Sequence, residues 1–390
     1  MPMSSNLNVL IGAGFSFFAG LPLGKEINGF FDRDIREKLR RHSSSEWQWV
    51  DGKDKATINN GQSNWDYASY SYILQGLVIE YKRINDGSFL GYEDFFQFGI
   101  DILKEKERLV KIYESAKAKF SEDYPDIPDD SIHWEVFKES QVDILGDIIN
   151  YLIADVLRWK KEDAELLTYY GVFLDQLKAY SIVNVFSLNH DLLLEHLLRR
   201  AEIEFSDGFT RDKAVIVHEE EQQRTFQNLF NAPIRLCKMH GSIDTYKFLH
   251  ADESRPGLVR PDGNYTYFKA DSYSAKHYAM RVNDSGEVVQ EFQLDVVPRF
   301  ITGTDKVSLI ESDNMYSTLI SRMKSELNSS SDLMVCGYSF GDDQINSIIQ
   351  ESCAKHQPKV VNINPNQPFP YHVSDVQNLS DLSNLTKHIK

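Results

Sequence analysis

Cysteine is scarce in this 390-residue chain, which holds only Cys237, Cys336 and Cys353, all far apart. Three widely spaced cysteines form neither a C-x-x-C pair nor a four-thiolate zinc site, and they cannot build a disulfide framework. The sequence therefore argues against the disulfide-rich secreted class. We expect no metal site and a reducing, cytoplasmic setting.

Long apolar runs and blocks of positive charge are also missing. No stretch approaches the roughly 18 apolar residues of a membrane span, and the opening residues MPMSSNLN lack the basic segment of a secretory signal. Lys and Arg number 42 against 58 Asp and Glu, which gives a formal net charge of −16. Because nucleic-acid affinity comes mainly from clustered Lys and Arg, we expect no direct nucleic-acid partner and no membrane association.

The first apolar run, Val9 to Ile11, ends in Gly12-Ala13-Gly14 and is typical of a buried parallel strand. Glycines at a strand end bring backbone amides close to a ligand, and a helix from about Phe17, broken at Gly20, would favour a phosphate. The third glycine of a dinucleotide fingerprint is absent, because Phe17 stands in its place. A tight strand-to-helix turn without a ligand is therefore an alternative.

The rest of the chain shows two kinds of sequence pattern. Residues 43–66 are typical of a long surface loop, and residues 67–180 show helical spacing throughout. Short apolar runs then occur at Ile182–Phe186, Ala214–Val217, Ile234–Cys237, Val296–Ile301, Leu333–Cys336 and Val360–Ile363. Several lead into helical patterns, which predicts βα units and a parallel sheet, with residues 258–291 as hairpins and loops beside it.

We therefore predict an α/β protein with an interrupted core domain. The core comprises residues 1–40 and 180–365, and a mainly helical insertion spans residues 41–179. Residues 366–390 have little periodic pattern and are predicted to form a loosely held C-terminal extension.

Polar motifs follow four of the apolar runs: SLNHD with Asn189 and Asp191, KMHGS with His240, GYSFGDD, and, after Val360 and Val361, NINPN. In an open α/β sheet, ligands bind beyond the carboxyl ends of the strands, so these motifs are predicted to line one crevice.

In order and context, GAGFSFFAGLP, LNHD, MHGS, GYS and INPN resemble the motifs of the sirtuin superfamily, over residues 7–25 and about 180–365. VFSLNHDLLLEHLL and MVCGYSFGDDQINSII are more narrowly similar to bacterial sirtuin-like proteins of antiphage defence, which degrade NAD. The resemblance implies that the sheet is Rossmann-like, so we expect a Rossmann-like parallel sheet with a large helical insertion that the resemblance does not cover. It also implies an NAD hydrolase, with NAD as substrate and no resident cofactor.

The same resemblance implies the roles of individual residues. Asn189 and His240 would be catalytic, and Asp191 would orient the nicotinamide end. The remaining contacts would be Gly12, Ala13, Gly14 and Ser16 to the pyrophosphate, Gly337 and Ser339 to the adenosine side, and Asn364 to the adenosine ribose.

The chemistry fits these residue types. Nicotinamide is a neutral leaving group, so the barrier lies mainly in an oxocarbenium-like transition state, as in glycoside cleavage. A neutral imidazole such as that of His240 can accept a proton from a ribose hydroxyl or from water. Asn189 can hold that hydroxyl without adding charge. We expect both side chains to line an open crevice.

Other readings of these residues exist. His240 before a glycine can be a hydrogen-bonded turn histidine, and Asn189 and Asp191 can cap the helix that begins near Leu192. Asp342 and Asp343 are better explained as acids at a helix N-terminus than as catalysts.

Two other functions also compete with hydrolysis. Protein deacylation or ADP-ribosyl transfer is disfavoured by Leu188 in place of glutamine, by Leu23–Lys25 in place of Asp-Phe-Arg, and by the missing zinc cysteines. A nucleotide-binding sensor without turnover is the third reading.

The resemblance also implies partners. The chain shows no evident sensor domain, so we expect its trigger to come from a protein partner such as a HerA-type ATPase. We also expect a homo-oligomer. The helical insertion, with Phe95, Phe96 and Phe98 crowded together, would offer the surface, and the isolated chain would be weakly active.

Overall fold

The computed structural model describes residues 3–32, 34–36, 39–41, 47–49, 63–102, 105–127, 153–154, 156–217, 221–250, 265–269, 279–282, 285, 288–294, 313–329 and 332–385. Its strands are β1 (Met3–Ile11), β2 (Leu39–Arg41), β3 (Trp47–Trp49), β4 (Tyr180–Ser187), β5 (Phe205–Ser206), β6 (Gly208–Val217), β7 (Glu221–Leu229), β8 (Ile234–Lys238), β9 (Thr245–His250), β10 (Tyr265–Lys269), β11 (Ala279–Val282), β12 (Val288–Leu294), β13 (Asp332–Cys336), β14 (Val360–Ile363) and β15 (Val376–Leu379). The helices are α1 (Gly24–Phe31), α2 (Ser63–Ile84), α3 (Tyr92–Ile102), α4 (Lys106–Asp123), α5 (Asp163–Ala179), α6 (Leu193–Arg200), α7 (Asn314–Leu327) and α8 (Asp343–His356).

Seven strands form one sheet in the order β15-β14-β13-β1-β4-β8-β5, and every neighbouring pair is parallel. The central strands are apolar because helices cover a parallel sheet on both faces. Val9, Val185 and Val335 are each fully buried. The predicted Rossmann-like α/β class is confirmed.

The chain divides into two compact units. The first comprises Met1–Leu21, Arg158–Ile301 and Val307–Lys390, and the second comprises Pro22–Leu157 and Thr302–Lys306. These bounds differ from the predicted insertion 41–179, because α5 lies in the first unit, where it packs on β4 and α6.

A closed barrel of antiparallel strands stands beside the sheet in the first unit, in the order β10-β7-β6-β11-β12-β9. The run Ala214–Val217, expected in the parallel sheet, belongs to β6 of this barrel, so that prediction is wrong. Its four residues are too few to distinguish a parallel strand from an antiparallel one. The run Val296–Ile301 lies outside the described residues.

The C-terminal extension is also corrected. Strand β15 pairs with β14 at the edge of the sheet, and Phe369, Val373 and Leu382 are buried. A four-residue edge strand is too short to show a periodic pattern in the sequence, which is why residues 366–385 looked loosely held.

The second unit contains α1 to α4, and its core is aromatic. Phe95 is completely buried and contacts Tyr81 and Phe98. Phe95, which we expected to help form an association surface, is therefore a core residue. In the predicted loop 43–66, Trp47–Trp49 pairs with Leu39–Arg41, while residues 50–62 and residues 128–152 lie outside the described residues.

Candidate functional site

The site follows one in-register row across the sheet. Ile11 pairs with both Ser187 and Cys336, Ser187 pairs with Lys238, and Cys336 pairs with Ile363. Each of these five residues is the last, carboxyl-terminal residue of its strand. The residues that follow them must share one edge of the sheet, so the structure brings together Gly12, Asn189, His240, Gly337 and Asn364.

The glycines after β1 allow two backbones to touch. The Gly12 amide donates to the Cys336 carbonyl at 3.0 Å, and the Gly14 amide donates to the Gly337 carbonyl at 2.9 Å. A Cβ on Gly12 would lie 2.7 Å from the Gly337 oxygen, and one on Gly14 would lie 2.8 Å from the Gly337 Cα. A pyrophosphate could accept hydrogen bonds from these two amides only if their bonds to the Cys336 and Gly337 carbonyls were broken.

No α-helix begins at Phe17, so the predicted helix dipole at that point is wrong. The segment is a 3-10 turn, Ala13–Phe15, followed by turns up to Gly20, whose φ is +83°. That left-handed conformation, followed by Pro22, prevents a helix from continuing through this segment.

Helix α5 fixes the position of this loop. Phe15 is buried against Tyr170 and Phe173, and the Tyr170 hydroxyl donates to the Phe15 carbonyl at 2.5 Å. Phe18 stacks on Tyr169 with ring centroids 3.6 Å apart. The loop therefore holds Ser16 in one place without support from a helix of its own.

Three predicted site residues form a hydrogen-bond chain. The Asn189 amide nitrogen donates to the Ser16 hydroxyl oxygen at 3.1 Å, and that hydroxyl donates to Asp191 Oδ2 at 2.8 Å. Because Asn189 Nδ2 is used here, its carbonyl oxygen is the atom that can accept from a ligand hydroxyl. Asp191 Oδ1 also accepts from the Leu193 amide at 3.0 Å, so Asp191 supports both the start of α6 and the site.

His240 lies two residues after the end of the neighbouring strand β8, just as Asn189 lies two residues after the end of β4. The Met239 amide donates to the Ser187 carbonyl at 2.9 Å, and the Ile243 amide donates to the His190 carbonyl at 3.0 Å. These bonds join the segment that carries His240 to the segment that carries Asn189. His240 Nε2 lies 3.1 Å from Asp342 Oδ2, a pairing that sequence reasoning missed.

The expected open crevice is wrong for these side chains. Asn189 is 8% exposed, Asp191 5% and His240 6%. The loop 12–20 and the 337–342 turn cover this edge of the sheet. The sequence does not predict that these two segments lie close together. Substitutions here therefore affect folding as well as chemistry.

The residues predicted for the adenosine end follow the strands β13 and β14. Asn364 Nδ2 donates to the Tyr338 carbonyl at 2.8 Å, and Asn364 Oδ1 accepts from the Asn366 amide at 3.2 Å. Asn364 therefore ties the 337–339 turn to the end of β14. Ser339 in the same turn is exposed, so its hydroxyl can reach a ligand.

A buried ionic network, which the sequence did not reveal, supports the 189–191 turn of the site. Lys238 Nζ donates to the Asp191 carbonyl and lies 3.6 Å from Glu195 Oε1. Desolvation raises the pKa of the fully buried Glu195. Through Lys238, this network holds the 189–191 turn in place.

The network continues around Lys269, whose Nζ lies 3.1 Å from both Asp207 Oδ2 and Asp244 Oδ2. Burial alone would lower the pKa of Lys269, but the carboxylates of Asp244 and Asp207 raise it above its ordinary value. Burial alone would raise the pKa of Asp244, yet the charge of Lys269 holds it below its ordinary value. This cluster anchors the barrel strand β10 beside the segment that leads from His240 into β9.

The thiols are unsuited to nucleophilic chemistry. Burial raises the pKa of Cys237 to about 12 and that of Cys353 to about 11, and it raises that of Cys336 as well. Since the thiolate is the reactive form, none of the three is an activated nucleophile.

Within the ranges given above, no cluster of three or more His, Cys, Asp or Glu side chains is arranged to hold a metal ion. In the same ranges, no helix combines the length and apolar character needed to cross a membrane.

Comparison with protein families places a SIR2-like domain at residues 183–373, just under half of the chain. This range includes Asn189, His240 and Asn364 and supports the sirtuin-like superfamily that the motifs indicated. A SIR2-like domain indicates an NAD-dependent enzyme.

Among solved structures, the chain is similar to one described as "Structural Basis for the Mechanism and Regulation of Sir2 Enzymes". The two are 12% identical, with 98% of this chain and 90% of that chain covered and a TM-score of 0.35. Values this low do not by themselves establish a common fold, so the fold rests on the strand order given above. No curated protein matches the chain.

Proposed function

We propose that this chain is an NAD glycohydrolase, which converts NAD and water into nicotinamide, ADP-ribose and a proton. One observation carries the proposal: Asn189 and His240 follow two neighbouring strands whose last residues are in register, and Ser16 is hydrogen-bonded to Asn189. These are one imidazole and two uncharged polar groups, which suits a reaction with a neutral leaving group.

The proposed mechanism assigns one task to each side chain. The bond between nicotinamide and C1′ of its ribose breaks with both electrons leaving on nicotinamide, and positive charge develops at C1′. The Asn189 carbonyl oxygen holds a ribose hydroxyl or the attacking water. His240 takes the proton as the water oxygen bonds to C1′.

Asp191 and Ser16 act through Asn189. Because the Asp191 carboxylate accepts a hydrogen bond from the Ser16 hydroxyl, the Ser16 oxygen is oriented to accept one from Asn189 Nδ2. This chain fixes the Asn189 amide in one orientation before substrate binds, which reduces the ordering needed in the transition state.

Hydrolysis is favoured over transfer to a protein substrate. The chain has only three cysteines, and all three are buried and unpaired with one another, so they offer no four-thiolate zinc module for peptide docking. Leu188 packs against the core beside the site, where deacylating sirtuins carry glutamine.

The proposed biological role is that of a toxic effector in bacterial antiphage defence. Its support is the narrow similarity of the segments around Asn189 and Gly337 to sirtuin-like defence proteins. The proposal includes a homo-oligomer and a partner such as a HerA-type ATPase, which would release full activity.

Product analysis of the purified full-length chain tests the enzymatic proposal. NAD is incubated with the chain alone, with an acyl-lysine peptide, and with the protein encoded beside it, and products are separated by liquid chromatography and mass spectrometry. Nicotinamide and free ADP-ribose in equal amounts support hydrolysis. An O-acyl product or an ADP-ribosylated protein supports transfer, and NAD binding without nicotinamide release supports a sensor.

A further inference from the structure

His240 has an acidic neighbour from a distant part of the chain. Its Nε2 lies 3.1 Å from Asp342 Oδ2, and the two side chains are 8% and 11% exposed. His240 follows β8, whereas Asp342 is the N-cap of α8. The two meet because the strands β8 and β13 end at the same edge of the sheet.

The Asp342 carboxylate divides its two oxygens between two tasks. Oδ1 accepts from the Ile345 amide at 3.1 Å, which caps α8. The Asp342 amide donates to the Tyr338 hydroxyl oxygen at 3.2 Å, and Asn346 accepts from that hydroxyl at 2.9 Å. The Ile345 amide therefore holds the carboxylate, the Tyr338 hydroxyl holds the Asp342 backbone, and Oδ2 is the oxygen that lies near His240.

The imidazole needs this contact. His240 Nε2 is a buried polar atom that makes no aligned hydrogen bond with any of the described residues. Leaving a buried donor unsatisfied is unfavourable. Asp342 Oδ2, at 3.1 Å, is an acceptor within hydrogen-bond distance of this atom.

We propose that Asp342 is a positioning residue for His240. A carboxylate only accepts, so it fixes the proton of the neutral imidazole on Nε2 and leaves the lone pair on Nδ1. Nδ1 is then the atom that takes the proton during hydrolysis, and the carboxylate stabilises the imidazolium that forms. This inference rests on the proposed function for its kinetic consequence, but the tautomer assignment stands without it.

Kinetics provide the first test, with Asp342→Asn compared with Asp343→Asn. Both substitutions remove one negative charge from neighbouring positions, and asparagine still caps a helix. Asp343 is exposed in the first turn of α8. We expect Asp342→Asn to lower kcat for nicotinamide release by about 10²-fold or more, with KM for NAD changed less than about 3-fold.

A double mutant shows whether Asp342 acts through His240. In a His240→Gln background, Asp342→Asn should lower the residual rate by less than about 2-fold, because residues that act as a unit are not additive. If the reductions in rate caused by Asp342→Asn and His240→Gln multiply in the double mutant, the positioning role is contradicted. If Asp342→Asn does not fold, Asp342→Ser, which also caps a helix without charge, replaces it.

A spectroscopic test requires no activity. The ring nitrogens of 15N-labelled histidine are recorded by NMR, and the His240 signals are assigned as those lost in His240→Gln. Wild type and Asp343→Asn should show the Nε2–H tautomer, and Asp342→Asn should change the tautomer ratio. Unchanged His240 signals in folded Asp342→Asn would overturn the inference. If wild type releases no nicotinamide, the proposed hydrolysis is rejected. The NMR spectrum still shows whether Asp342 pairs with His240.

Discussion

Replacing Gly337 by alanine should destabilise the protein, because this glycine lies where the turn after β13 meets the loop after β1. Its φ is +63°, a left-handed conformation that L-residues rarely adopt. A Cβ on Gly337 would lie 2.2 Å from the Phe15 amide nitrogen and 2.4 Å from the Gly14 carbonyl carbon. Both atoms belong to backbone, so neither can move aside as a flexible side chain would.

The expected magnitude follows from these two effects. The left-handed conformation costs about 1–2 kcal/mol for a residue with a Cβ, and forcing extra volume into a packed site costs about 1–3 kcal/mol. Together they predict a loss of about 2–5 kcal/mol in the free energy of unfolding. Displacement of the loop should also move Ser16 and weaken NAD binding.

Urea unfolding followed by circular dichroism measures this effect, with Gly341→Ala as the matched control. Gly341 lies in the same turn, and the nearest atom to its Cβ would be the Ser339 hydroxyl oxygen at 3.6 Å. We expect Gly341→Ala to change the free energy of unfolding by less than about 0.5 kcal/mol. Equal stability of the two variants would refute the close approach of the two backbones.

Three further predictions concern the buried network, the hydrogen-bond chain and the assembly. Lys269→Met should lower the free energy of unfolding at pH 7 by about 3–5 kcal/mol, measured by urea unfolding. In wild type the pKa of Asp244 is lowered, so its stabilisation is present near neutral pH and lost as acid protonates it. Without the lysine, burial raises the pKa of Asp244. The difference in free energy of unfolding between wild type and Lys269→Met should therefore become smaller as pH falls from 7 to 5, and a difference independent of pH would contradict this. Ser16→Ala should cost about 1–3 kcal/mol by leaving Asp191 Oδ2 without its donor, and it should lower kcat more than NAD affinity; a purely structural loss would leave kcat unchanged. Light scattering at micromolar concentration should show more than a monomer, and isolated enzyme should gain activity when its partner is added; a monomer, or full activity of the chain alone, would contradict these expectations.

The sequence predicted the sheet well because buried parallel strands are short, apolar and bounded by glycine or polar residues. Ile182–Phe186 and Leu333–Cys336 were recognised for this reason, and both are central strands. The motif after each strand could then be placed at one edge, since the carboxyl ends of parallel strands coincide.

The barrel could not be predicted in the same way. Its strands pair antiparallel over long distances along the chain, as in the pairing of Phe292 with His250. Their described residues include many polar side chains, such as Thr225 and Lys269. A polar residue in a strand signals neither burial nor register until its partners are known.

The detailed chemistry of the site was also beyond the sequence. Asp342 was expected at a helix N-terminus, and it is the N-cap of α8. Its contact with His240, however, joins residues about a hundred positions apart. The space beside the Cα atoms of Gly12 and Gly14 is filled by Gly337 and Tyr338. Both facts depend on how two turns pack, which local spacing does not encode.

The most direct measurement compares nicotinamide release by wild type, His240→Gln and His372→Gln, each checked for folding by thermal unfolding and for NAD binding by calorimetry. His372 is an exposed histidine in the same unit, so it controls for the chemical change alone. We predict that folded His240→Gln binds NAD and releases nicotinamide about 10²-fold or more slowly than wild type, while His372→Gln matches wild type. Release at the wild-type rate by folded His240→Gln would contradict the assignment of His240 as the base.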